Sequence, residues 1–204
     1  AFLAVTGVSI HAADALFAGL ADVALAHESK HEVIKRIQQA RWQGERSNDE
    51  SQLSRMLQAF SIDASLPDSA VKQHLDLINQ VMNSKHVPDM AHVMQALLSH
   101  PDPWVAKAAQ GFVKGSPTSI ALGLYMQEQA QHMSLADVFR LELQASLGCC
   151  AHADFAEGVR ALLVDKDKSP QWSPASHDLV TQDWVLDHVK PRFAGPHPLA
   201  DLQN

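Results

Sequence analysis

Marked helix starts recur along this chain, while the apolar–polar alternation of a half-buried strand is almost missing, and that asymmetry restricts the fold more than any other feature. Ser116 followed by Pro117 is a side-chain cap with proline at the first helical position, where its fixed φ suits the helix. Gly115 before it suits the end of the preceding helix. Asp102 with Pro103 repeats the device, Asp89 after Pro88 resembles it, and Ser134 with Asp137 makes a loose capping box. Between Ser134 and Cys150, Phe139, Leu143, Ser146, Leu147 and Cys150 fall at three- and four-residue steps, as do Phe155, Val159, Leu162 and Leu163 in the next segment. Both stripes are expected to pack in the core, with Glu157 and Arg160 paired at i, i+3 on another face. The single strand candidate, Asp22 to Leu25, is short. The expected fold is mainly α, with at most one or two very short strands.

Organisation follows from where the pattern changes. Residues 1–27 read as a joining segment, 28–168 as a helical domain and 169–204 as a tail that gathers prolines and loses apolar residues. That tail is expected to wrap the surface irregularly, with at most one short helix near Gln182 to Val189. The polar, proline-bearing stretches at Asp63 to Pro67 and His86 to Pro88 are too short for domain linkers.

A chain of 204 residues that is 46% hydrophobic can bury a core, and 19% charged residues indicate neither disorder nor a fibre. A formal net charge of -7 with interspersed signs leaves no broad basic face for a phosphate backbone, which argues against a nucleic-acid partner. Asp14 and Asp22 interrupt the apolar start, so neither a membrane span nor a signal peptide is expected. Opening on Ala1-Phe2-Leu3 without an initiator methionine gives the expectation that the natural chain begins earlier. Cys149 and Cys150 are adjacent, which is no disulfide framework, and core packing in a reducing compartment is expected of them.

His27-Glu28-Ser29-Lys30-His31 fits H-E-x-x-H, which on one helix sets two imidazoles a turn apart for zinc. Lys30 puts a cation beside the metal position, and no patterned helix offers Glu45 or Glu50 as third ligand, so no metal is expected. The other histidines lack a sequence partner that would make a catalytic base. Neither a G-x-S-x-G elbow nor a phosphate-cradling glycine loop occurs, and Ser116 is sufficiently explained as a cap.

The run from Phe155 through Glu157-Gly-Val-Arg160-Ala and Asp165-Lys-Asp167 to Trp172 resembles the EGVRA, DKD and P-x-W signature of 3-hydroxyisobutyryl-CoA hydrolases, members of the crotonase superfamily. Lys114-Gly-Ser-Pro-Thr-Ser119, Phe2-Leu-Ala-Val-Thr-Gly7 and Ala18-Gly-Leu-Ala-Asp22 resemble other stretches of that family in the same order. From about Glu28 to Gln110 only helical character agrees.

The resemblance implies the helical carboxy-terminal part of a crotonase-type α/β fold. It also implies a parent enzyme that hydrolyses the thioester of 3-hydroxyisobutyryl-CoA in valine breakdown. No cofactor is implied beyond coenzyme A as part of the substrate. The oxyanion hole and catalytic carboxylates of that family are expected upstream of Ala1, so no catalytic residue is expected in this chain, which alone should be inactive. Its helices would cover the acyl-CoA site and make subunit contacts in a homo-oligomer, and Lys166 and Lys168 would approach the CoA phosphates. The competing reading of Asp165 to Lys168 is a solvated charge cluster. The expected location is the cytoplasm, or the mitochondrial matrix in a eukaryote. An enoyl-CoA hydratase or isomerase of the same superfamily and a non-catalytic helical interaction module are the alternatives. A half-fold should leave an apolar strip uncovered, and Phe2, Leu3, Val5, Phe17 and Leu20 are the side chains expected there.

Overall fold

The computed structural model describes residues 1–84 and 86–203. In chain order the α-helices are α1 (Phe2–Thr6), α2 (Ala12–Phe17), α3 (Lys30–Gln39), α4 (Arg46–Gln58), α5 (Ala70–Gln73), α6 (Leu75–Met82), α7 (Val87–Leu97), α8 (Pro103–Lys114), α9 (Pro117–Ala130), α10 (Leu135–Ala151), α11 (Ala153–Val159) and α12 (Gln182–His188). Among the described residues the sole β pairing is an isolated antiparallel bridge between Leu25 and Ser61, so the mainly α expectation holds. Contacts divide the chain into Ala1–Val8 with Asn79–Asn204, and Ser9–Ile78. This division differs from 1–27, 28–168 and 169–204, because the first eight residues and the tail pack with the later helices.

Three of the four expected starts carry the expected caps: Asp102 accepts from the Trp104 N–H, Ser116 from Ser119 and Ser134 from Asp137. Asp89 is not the fourth. His86 occupies that cap, and Pro88 lies within the first two helical positions, where its missing N–H is harmless.

In the Ser9–Ile78 unit, Asp14 is fully buried. Its carboxylate accepts from the His11 and Val71 N–H groups at 3.0 Å each and from the Ser69 hydroxyl at 2.8 Å, which ties α2 to α5. Burial pushes its pKa up, but these hydrogen bonds outweigh burial and hold it below the ordinary aspartate value. His27 lies on a 3₁₀ turn, His27–Ser29, and His31 on α3, so the H-E-x-x-H residues do not share one α-helix.

In the other unit, α1 packs on α8 and α9, with the Phe2 and Trp104 rings 5.9 Å apart. A Cβ at Gly111 would collide with the Thr6 carbonyl, so glycine sets how closely α1 meets α8. Phe2 and Val5 are therefore buried against the chain's own helices, which corrects the expected uncovered strip; Phe17 and Leu20 are exposed as expected. The tail also departs from expectation, since Val185 and His188 of α12 are buried and Val185 joins Leu122 and Ala145 in the core.

The largest correction concerns the two apolar stripes. Phe155, Leu162, Leu163 and Val164 are 57%, 62%, 62% and 68% exposed, and Phe139 is exposed too. The buried face of α10 is made of Ala136, Ala145 and Gly148 instead. Small residues let neighbouring backbones approach, and periodicity, which registers only large apolar side chains, passes over them. Cys149 is half-buried beside that core, while Cys150 is exposed, against the expectation for the pair.

Candidate functional site

After α11 the chain makes one π-helical turn, Arg160–Val164, and leaves it in a loop pinned from both sides. Arg160 is the pin. Its guanidinium donates to Glu157 at 2.8 and 2.9 Å, to Asp165 and Asp167 at 2.7 Å each, and to the Ser169 carbonyl at 3.3 Å. Glu157 Oε1, one of the two oxygens that accept from Arg160, also accepts from the Gln171 N–H at 2.7 Å. Hydrogen bonds from Arg160, with the Gln171 N–H second, hold the Glu157 pKa down to about 2, and Arg160 itself is pushed up by Glu157, Asp167 and Asp165.

Further along, the Trp172 indole N–H donates to the Lys114 carbonyl at 2.9 Å, and the Ser173 N–H to Asp154 at 2.8 Å. The other Asp154 oxygen accepts from Ser116 at 2.6 Å. Gly158 packs under the Trp172 ring, where a Cβ would lie 3.4 Å from the indole, at van der Waals contact. The Glu157, Gly158, Arg160, Asp165, Asp167 and Trp172 signature thus describes one closed loop.

That loop presents Lys166 and Lys168. Both adopt positive φ, 58° and 55°, a conformation uncommon for non-glycine residues, and the Lys168 N–H donates to Ala161 at 3.0 Å. Because Arg160 engages Asp165 and Asp167, neither lysine has an ion-pair partner among the described residues. The interspersed charges are not paired with their neighbours along the chain.

Lys168 lines a cavity of about 650 Å³ and Lys166 lies outside its lining. Phe155, Val159, Leu162, Leu163, Pro170 and Trp172 supply apolar walls; Ser116, Cys149, His152, Asp154 and His188 supply polar ones, with Lys114 a second cation. None of these polar groups is arranged as a nucleophile and base. The Ser116 hydroxyl serves Asp154 and its own helix cap. Burial first, and Cys150 second, push the Cys149 thiol up, away from the reactive thiolate. Asp154 and Glu157 spend their oxygens on backbone and side-chain donors. The cavity combines apolar walls with the Lys114 and Lys168 cations, and among the described residues its polar groups form no nucleophile-and-base set. Among the described residues no three His, Cys, Asp or Glu side chains gather as a metal site.

Sequence reasoning missed the polar end of this cavity. The His152 and His188 ring centroids stack 3.8 Å apart, inclined by 19°, and the Trp184 ring meets His152 edge-on with centroids 4.9 Å apart. These residues lie 36 positions apart in the sequence and at different helix ends, and no local pattern couples them. The uncovered apolar face, Phe155 to Val164, was missed for the opposite reason, since its periodicity equals that of a core helix.

The family described as enoyl-CoA hydratase/isomerase matches residues 1–189. The chain belongs to the enoyl-CoA hydratase/isomerase family. The match runs through the middle of the chain, where the sequence resemblance extended only to helical character. Within this family, the mitochondrial 3-hydroxyisobutyryl-CoA hydrolase of Gallus gallus is 30% identical over 192 residues, covering 93% of this chain and 48% of the relative. That of Danio rerio is 30% identical over 188 residues, covering 90% and 47%. The chain spans about half the length of the curated relatives it matches. A crystal structure of a carnitinyl-CoA dehydratase from Mycobacterium thermoresistibile superposes with a TM-score of 0.74 at 25% identity, covering 94% of this chain and 51% of that one. An enoyl-CoA hydratase from Rhodobacter sphaeroides gives 0.67 at 22% identity, which speaks for the fold alone. This family member is the helical carboxy-terminal part of a crotonase-type fold.

Proposed function

We propose that this chain is the helical cover of an acyl-CoA thioester hydrolase acting on 3-hydroxyisobutyryl-CoA, a step of valine breakdown. The observation that carries the reading is the uncovered apolar face from Phe155 to Val164, which continues into a cavity with Lys168 in its wall. A contiguous exposed face of large apolar side chains marks a surface made to be covered. Its cover is the β-rich half that supplies the oxyanion hole and catalytic carboxylates. Lys166 and Lys168 then reach the CoA phosphates, coenzyme A being part of the substrate and no other cofactor being required. Subunit contacts in a homo-oligomer belong to the same helical layer. The hydrolase relatives carry mitochondrial names, which supports the matrix in a eukaryotic source; no described helix is long and apolar enough to cross a membrane.

The alternative within the family is an enoyl-CoA hydratase or isomerase, supported by the family description that matches residues 1–189. A stand-alone helical module draws support from the burial of Phe2 and Val5, but it leaves the Phe155 to Val164 face without a purpose. In the whole protein, a Lys166→Ala, Lys168→Ala double variant tests the phosphate contacts. Its KM should rise for the acyl-CoA thioester and stay unchanged for the acyl-pantetheine thioester, which lacks the nucleotide phosphates. Equal KM changes for both would remove the lysines from the site.

A further inference from the structure

We propose that His152 and His188 form a proton-operated latch that holds α12 on α10 and closes one wall of the cavity. The geometry makes the two rings unequal. His152 has an acceptor at each ring nitrogen, with Nδ1 2.8 Å from the Gly148 carbonyl and Nε2 3.2 Å from Asp187 Oδ2, so only a doubly protonated ring satisfies both. His188 has one, its Nδ1 lying 2.8 Å from the Trp184 carbonyl, and its other nitrogen meets no carboxylate among the described residues. A neutral imidazole stacked on a charged one is attractive, whereas two charged rings 3.8 Å apart repel in a site where His188 is only 2% exposed.

The surrounding charges add to the imbalance. Asp187 is shared among His152, Lys190 at 3.0 Å and Arg192 at 2.8 Å, so one carboxylate already faces several cations. Arg192 also reaches the His188 carbonyl. Cys149, Asp154, Lys114 and Lys168 line the same cavity as His188, and Tyr125 of α9 packs against the core that holds Val185 of α12. Asp154 is engaged by Ser116 and Ser173 and gives His188 no counter-charge. Burial first, and then His152 and Arg192, push the His188 pKa below the ordinary histidine value, against a smaller opposing effect of the Trp184 carbonyl. A histidine depressed in the folded state contributes stability that is complete above its unfolded value of 6.5 and is lost as pH falls through the folded value. Gly148 gives the latch its tightness, because a Cβ there would collide with the His188 backbone.

Hydrogen exchange of the intact protein, read on peptides covering 182–189 and corrected for intrinsic rates between pH 7.5 and 5, tests the latch. Exchange of α12 should stay constant above pH 6.5 and then accelerate by up to about tenfold per pH unit, the slope for uptake of one proton, while α8 stays protected. His188→Asn keeps a donor for the Trp184 carbonyl and cannot take the second proton, so its acceleration should vanish. His152→Gln removes the opposing charge, lets the His188 pKa rise toward its unfolded value and should therefore shrink the acceleration. A flat profile in the wild type, or an unaltered one in His188→Asn, overturns the latch. Ring ¹⁵N shifts of the wild type give a reading that needs no variant: at pH 6.5 His188 should be neutral with its proton on Nδ1, and a doubly protonated ring there also overturns it.

Discussion

Replacing Gly148 by alanine should destabilise the protein even though it puts the best helix former into the last turn of α10. A Cβ at this position would overlap the carbonyl oxygen of His188 and crowd its carbonyl carbon and Cα. These are backbone atoms, so no side chain can rotate away; α12 must move off α10 and strain the packing of Val185 on Leu122 and Ala145. Forcing a methyl into such a contact costs roughly 1–3 kcal/mol. Helix propensity returns about 1 kcal/mol. The net is a loss of about 1–2 kcal/mol at the upper part of that range, equivalent to a Tm lower by about 2–8 °C for a chain of this size. Gly123 in α9 is the control, since nothing lies within 4 Å of its would-be Cβ. Gly123→Ala should raise Tm by about 2–4 °C, because only the propensity effect remains. Thermal unfolding followed by circular dichroism compares the two. If Gly148→Ala stabilises as much as Gly123→Ala, the close approach of α10 and α12 is wrong.

Arg160→Lys keeps the charge but cannot serve Glu157, Asp165, Asp167 and Ser169 together, so the loop from Asp165 to Trp172 should become a protease cleavage site while α8 and α9 stay intact. Glu157 is depressed from 4.5 to about 2, so the stability it contributes is complete above pH 4.5 and lost as pH falls toward 2; loop protection in hydrogen exchange should be unchanged at pH 5 and weaken below 4.5. Asp14→Ala strands the buried Val71 N–H, the part-buried His11 N–H and the Ser69 hydroxyl, with an expected loss of about 1–3 kcal/mol in chemical denaturation. Leu162→Asp with Leu163→Asp should leave this chain's helicity unchanged, because both side chains are exposed, yet abolish the activity of the whole protein if that face is covered by the other half.

Helix identity was legible wherever capping chemistry is local, as at Asp102, Ser116 and Ser134, since cap and recipient lie within three residues. Burial was less legible. The stripe through Phe155, Val159, Leu162 and Leu163 has the period of a core helix, but periodicity identifies only the face that will be covered, not which chain covers it. The closest contacts, Gly111 on Thr6 and Gly148 on His188, depend on residues with no side chain and leave no hydrophobic signal. At the candidate site, the resemblance located the Arg160 loop and its lysines. That Arg160 engages both aspartates and leaves Lys166 and Lys168 without ion-pair partners was not legible, because it follows from the π-helical turn and the two positive-φ residues. The stacked histidines are a tertiary event between helix ends far apart in the chain.

The central claim, that these helices serve a thioester hydrolase, is tested most directly by giving the whole protein 3-hydroxyisobutyryl-CoA and an enoyl-CoA side by side, reading free thiol release together with loss of the enoyl absorbance. The account predicts enzyme-dependent thiol release from 3-hydroxyisobutyryl-CoA, none from residues 1–204 alone, and no change in enoyl absorbance. Loss of enoyl absorbance without thiol release from either substrate would contradict it and assign the protein to the hydratase branch of its family.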